Sequence, residues 1–128
     1  MRHFLHVVLQ THRYATIDGK TLFEHSHGAA WRPLVDIYEQ PSGILIAVDL
    51  PGIDKESIQV VVEGDELTVS GVRPPRIPKD TFRVQHMEIS YGPFARRIAL
   101  PPHSDADHIE ADYDEGRLWV KVPRKEEP

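Results

Sequence analysis

From Trp31 onward the chain is written in short runs in which apolar and polar residues alternate, each run cut by Gly, Pro or a polar turn. A period of two puts successive side chains on opposite faces of a strand, so this pattern admits half-buried strands and leaves no room for long helices. In LVDIYEQ, Val35 and Ile37 share one face while Asp36 and Tyr38 take the other. ILIAVDL sets Ile44, Ile46, Val48 and Leu50 against Leu45, Ala47 and Asp49. PGIDKES interrupts, with Asp54 placed to cap a single helical turn. IQVVVE turns Ile58, Val60 and Val62 inward, Gly64-Asp65 is a two-residue hairpin connection, and ELTVSGV brings Leu67 and Val69 inward. FARRIAL carries Phe94, Ile98 and Leu100 on one parity, and IEADYDEGRLWVKVPR reads as a closing hairpin about the tight DEG. There Gly116 stands where the turn calls for positive φ. Seven short strands joined by turns predict a β-sandwich.

One connection does not fit that rhythm. Between Arg73 and Pro93 the sequence RPPRIPKDTFRVQHMEISYGP opens with closely spaced prolines, which forbid a central strand. Yet TFRVQH alternates Phe82, Val84 and His86 against polar neighbours, a candidate eighth strand. A loop this long in a compact domain carries its own element or a function.

Length suits one domain with one core. The formal net charge is −5, and since residues 1–30 carry three basic and two acidic residues, the remainder carries −6. A net-negative body argues against sequence-independent nucleic-acid binding. The absence of cysteine removes disulfide and thiolate chemistry and is compatible with a reducing cytosol. No apolar run reaches the roughly eighteen residues of a membrane-spanning helix. The apolar patch from Phe4 to Leu9 is short for a signal-peptide core, is broken by His6, and is followed by no convincing small-residue cleavage site. The expected location is the cytoplasm. RHFLHVVLQTHRY suits a short helix or a strand equally, and IDGK and HSHGAA are turn or linker chemistry.

Taken in order, LVDIYE, LIAVDLPGIDKESIQVVVEGDELTVSG, EISYGPFARRIALP and ADYDEGRLWVKVP resemble the α-crystallin domain of the small heat-shock protein family, bacterial type. The last of these matches the family's Ala, variable residues, Gly, variable, Leu pattern at Ala111, Gly116 and Leu118. The resemblance divides the chain into an N-terminal arm (1–30), an α-crystallin domain (31–124) and a short C-terminal tail (125–128). It implies an all-β, immunoglobulin-like sandwich of about seven strands, with an exchangeable strand in the long loop. It also implies a homodimer or a higher oligomer, and ATP-independent holding of unfolding client proteins with no cofactor. The exchanged strand would be Thr81–His86 with Phe82, Val84 and His86, paired with Val35, Asp36, Ile37 and Tyr38 of a second copy. Arg96 falls at the family's dimer-interface arginine. By pattern it shares parity with buried residues and needs a partner, unless it is a snorkelling arginine whose stem covers apolar surface; Arg97 is the fallback.

The family's apolar groove would lie between Ile58–Glu63 and Ile109–Tyr113, with Val60, Val62, Ile109 and Ala111 as its candidates for clients or neighbouring tails. Read from pattern alone, these four are core. Two departures stand out: the arm lacks the family's Phe-rich, Pro-rich character, and RKEEP carries no Ile-x-Ile/Val anchor. The expectation is a groove left empty by the chain's own tail, and small assemblies. The related CS-type co-chaperone adaptor, which docks on an ATP-dependent chaperone, is the alternative; it usually lacks the long loop.

Histidines at His3-x-x-His6 and His25-x-His27 have chelating spacing, but a structural zinc site wants four ligands, commonly thiolates, so surface or linker histidines and no metal are expected. Ser104, His108 and the acids Asp105, Asp107, Glu110, Asp112, Asp114 and Glu115 invite a hydrolase reading. No nucleophile elbow or phosphate loop accompanies them, so turn and surface acids, and no enzyme, are expected.

Overall fold

The computed structural model describes residues 30–126 and, ahead of them, the strand segments β1 (His3–Phe4), β2 (Val7–Gln10), β3 (Thr16–Ile17) and β4 (Lys20–Thr21). Seven further strands follow: β5 (Val35–Gln40), β6 (Gly43–Asp49), β7 (Gln59–Glu63), β8 (Glu66–Arg73), β9 (Gly92–Ala99), β10 (Glu110–Asp114) and β11 (Arg117–Pro123). They coincide with the seven alternating runs. One sheet has the order β1-β10-β11-β6-β5 and the other β2-β7-β8-β9; β3 and β4 form a separate pair. The seven strands pair antiparallel throughout.

Cross-strand register lines up the inward residues predicted from alternation. Leu118 faces Val48, and Val120 faces Ile46. Val60 faces Val69, and Leu67 faces Ile98. Side chains from both sheets merge into one core, in which Ile46, Val48, Leu50, Val60, Leu67, Val69, Leu118 and Val120 are all fully buried. Alternate burial on each strand is what holds the register, because a slip of one residue would expose the whole set. On the outer face of the second sheet, Val61, Thr68, Ser70 and Ala95 are also buried, so its centre is closed to solvent on both faces.

Two-residue hairpins join β7 to β8 and β10 to β11. Gly64 takes φ +61°, and Gly116 takes φ +78°, as its place in the turn demands. On β8, Gly71 lies opposite Phe94. A Cβ there would sit 2.7 Å from the Phe94 ring, so the ring occupies the space that a side chain would fill. The chain enters the domain alongside β9: Ala30 N donates to Pro93 O at 2.8 Å, and Trp31 Nε1 donates to Gly92 O at 3.0 Å. Trp31 packs on Phe94 with ring centroids 5.2 Å apart. The segment then crosses to the other sheet to begin β5.

One local expectation is corrected. A single 3₁₀ turn forms at Lys55–Ser57, but the Asp54 side chain does not cap it; its carboxylate instead pairs with Arg76 at 3.0 Å. Thr81–His86, expected to pair across two copies, forms no strand with the described residues of its own chain.

Candidate functional site

β5 is a sheet edge. Among the described residues it pairs with β6 on one side only. Val35 packs against the core, while Ile37 and Tyr38 are half exposed and Asp36 is exposed, its carboxylate accepting the Tyr38 hydroxyl. Alternation alone put Ile37 with Val35; the edge position leaves Ile37 outside the core. Beside β5 opens a pocket of about 570 Å³ lined in part by Ile37, Ile44, Leu100 and Val122.

The connection from β8 to β9 projects a row of apolar side chains. Phe82 is 92% exposed, and Ile77, Val84, Met87 and Ile89 are 46–64% exposed. His86 is exposed and contacts Glu88. All nine large apolar residues that stand exposed among the described residues lie near β5 (Leu34, Ile37, Tyr38) or between Val72 and Ile89. The base of the loop is held by Arg73, which sequence reasoning missed. Its Nε and Nη2 donate to Ser90 O at 2.9 and 2.6 Å, Nη1 donates to Pro51 O at 3.2 Å, and the guanidinium lies 4.1 Å from the Trp31 ring centre. An arginine ending an alternating run carries no signal for that role; only the meeting of loop ends reveals it.

Arg96 extends from β9 on the inward parity, opposite Val69. Nη1 donates to the Pro33 carbonyl at 2.7 Å, while Nε is buried with no hydrogen-bond partner among the described residues. Burial, and secondarily the neighbouring Arg32 charge, lower its pKa from the ordinary arginine value. Arg97 points the other way and lies 3.9 Å from Glu66.

The remaining candidates lie on the opposite side of the sandwich. Val60 and Val62 on β7, with Ile109 and Ala111 at β10, are at most 9% exposed and belong to the core cluster. Tyr113, on β10, donates its hydroxyl to Leu50 O. Trp119 takes the opposite parity and borders an outer-face pocket with Asp112, Asp114 and Lys121. β7 and β10 are bordered by the arm: β1 pairs antiparallel with β10, and β2 pairs parallel with β7.

The Ser104, Asp105 and His108 grouping builds a turn. Ser104 Oγ donates to Pro101 O at 2.7 Å, and Asp105 accepts from Asp107 N and meets His108 Nδ1 at 2.7 Å. Of the spaced histidines, the side chains of His3, His6, His25 and His27 lie outside the described residues. Among the described residues, no three His, Asp or Glu side chains are grouped to hold a metal.

The sequence profile of the Hsp20/alpha crystallin family matches residues 36–128. The chain belongs to this family. It is 31% identical to Small heat shock protein C4 of Rickettsia felis, over 80% of this chain and 63% of that protein. It thus spans under two thirds of that relative's length. It is 32% identical to an 18 kDa heat shock protein of Streptomyces albus G, over 91% of this chain and 84% of that protein. A solved small heat-shock protein from Xylella fastidiosa, described as having a distinct high order structure, superposes with a TM-score of 0.71 at 37% identity, covering 78% of this chain and 92% of that one. The sandwich is therefore that of the α-crystallin domain, and membership supports a chaperone role; the family is one of chaperones, not enzymes. Among the described residues, no helix is long and apolar enough to cross a membrane.

Proposed function

We propose that the protein is an ATP-independent holdase, which binds unfolding proteins in the cytoplasm and prevents their aggregation. The observation that carries this reading is that, among the described residues, all nine exposed large apolar residues lie at β5 (Leu34, Ile37, Tyr38) or between Val72 and Ile89. Exposed apolar side chains concentrated in these two stretches mark an interaction surface. Burial against an unfolding chain contributes roughly 25 cal/mol per Å², so a few hundred Å² gives several kcal/mol before ordering costs, with no nucleotide needed.

In this reading the chain divides into an arm (1–30), the α-crystallin domain (31–124) and a tail (125–128). Two copies exchange strands: Phe82, Val84 and His86 of each pair along Val35, Asp36, Ile37 and Tyr38 of the other. The open β5 edge and the unpaired alternating loop supply the two halves of that contact, and reciprocal exchange is the self-complementary arrangement of a two-fold dimer. Arg96, with an unsatisfied buried nitrogen, completes its hydrogen bonds at the interface. Val60, Val62, Ile109 and Ala111 line the groove that receives extended apolar segments, with β7 and β10 as its edges.

Light scattering from a heated test protein decides between this role and a co-chaperone adaptor. Suppression of scattering without nucleotide supports the holdase. No suppression at several-fold molar excess points to the adaptor.

A further inference from the structure

The ladder between β8 and β9 ends at the pair Arg73 and Gly92. The whole loop, with Phe82 and Val84, hangs from that pair. Gly92 takes φ +101°, so the returning chain bends sharply into β9, and Ser90 O lies just ahead of the bend. Arg73 reaches across the mouth of the loop and forks two N–H groups, Nε and Nη2, onto that one oxygen at 2.9 and 2.6 Å. Its third bond, from Nη1, goes to Pro51 O at 3.2 Å. The backbone there is firmly held: Leu50 is fully buried, its N donates to Gly116 O, and its carbonyl accepts the Tyr113 hydroxyl. The guanidinium also lies 4.1 Å from the Trp31 ring centre and 5.9 Å from that of Tyr91. One side chain thus joins both ends of the loop, the turn after β6 and the segment leading to β5. Further out, the Arg76–Asp54 pair is exposed on both sides, where an ion pair contributes little.

We infer that Arg73 is a positioning residue for the dimer: it fixes how the loop leaves its own sandwich, and so the fraction of time Thr81–His86 is held where a second copy can take it. This rests on the strand-exchange reading above and adds what sets its affinity. A second copy binds only the presented loop, so apparent affinity scales with that fraction. Ordering the loop beforehand also removes a cost that association would otherwise carry. Because the same guanidinium lies on Trp31, whose segment leads into β5, the donor loop and the acceptor edge of one chain are set from one point. Lysine cannot take this place. Its ammonium is a point charge on a flexible stem, whereas the planar guanidinium forks onto one carbonyl, reaches a second, and stacks on an aromatic face.

Three measurements on full-length Arg73→Lys test this. Sedimentation on dilution should show the dimer dissociation constant raised about tenfold or more, as for a loop presented a tenth of the time or less. Hydrogen exchange should leave the amides of β8 and β9 as protected as in the parent; lost protection there would mean that the variant has merely loosened the sheet, and overturns the positioning role. Because the chain has no cysteine, nitroxides on Gln59→Cys and Lys79→Cys, both exposed, report the loop's place on its sandwich. In labelled chains diluted with unlabelled copies, pulsed electron resonance should give a narrow distance distribution with arginine at 73 and a broad one with lysine. Equal widths overturn the latch. Broadened distances with an unchanged dimer constant overturn the positioning role and leave strand exchange standing. A dimer that survives deletion of Thr81–His86 overturns strand exchange, and this inference with it.

Discussion

Glu115 and Gly116 turn the last hairpin with φ values of +50° and +78°. A left-handed pair matches the twist of the flanking strands. Glycine takes it freely, while glutamate is held there by the closure of β10 on β11. Gly116→Ala adds a side chain in that conformation, with its Cβ 3.3 Å from Pro51 Cα. It should lower stability by about 1–2 kcal/mol, read as a lower urea midpoint with an unchanged slope. Arg96 is the other residue with a sharp expectation. Its Nη1 bond to Pro33 leaves Nε buried and unpartnered among the described residues, and burial disfavours its charge. Arg96→Gly should raise the dimer dissociation constant by about tenfold or more, as for loss of a buried charged contact. Sedimentation on dilution measures it, and unchanged dissociation would remove the residue from the interface.

At the scale of elements, β5 and the long loop each lack something the other has. β5 has an unpaired edge, and Thr81–His86 has alternation without a ladder. Arg73 and the Arg76–Asp54 pair hold the loop at its base, so Phe82 and Val84 are presented to solvent on an anchored projection. Deleting Thr81–His86 should yield a monomer by sedimentation, with the near-ultraviolet signature of the sandwich intact. Phe82→Asp should weaken the dimer in the same direction, because a desolvated carboxylate replaces a ring that is 92% exposed in the single chain. A deletion variant that still sediments as a dimer would place the contact elsewhere.

At the scale of the molecule, residues from both sheets share one core cluster, which predicts a single cooperative unfolding transition. Trp31 packs on Phe94 of one sheet, and Trp119 stands on the outer face of the other, so Trp31→Phe and Trp119→Phe leave one reporter on each. At equal protein concentration, and after correction for each variant's own stability, the fluorescence and circular-dichroism midpoints of each variant should coincide. Separate midpoints within one variant would show that the sheets open independently. The same architecture sets the two sides on which the proposed function rests: β5 and the loop on one, β7 and β10 on the other.

Seven strands, their inward residues and two of their hairpins were legible because burial on one face imposes a period of two that any reader of the sequence can count. The ordered motifs ending in Ala111, Gly116 and Leu118 also carried the family. What alternation cannot encode is which strand lies at an edge. Ile37 and Ile46 look alike in sequence, yet one is 53% exposed and the other fully buried, because β6 has neighbours on both sides and β5 on one. The roles of Arg73 and Asp54 were equally hidden, since their partners are brought near only by the packing of distant segments. The arm was the least legible part. RHFLHVVLQTHRY suits a helix or a strand by local preference, and within it pairing with the edges of β10 and β7 makes His3–Phe4 and Val7–Gln10 strands. Those edges exist only once the two sheets have packed.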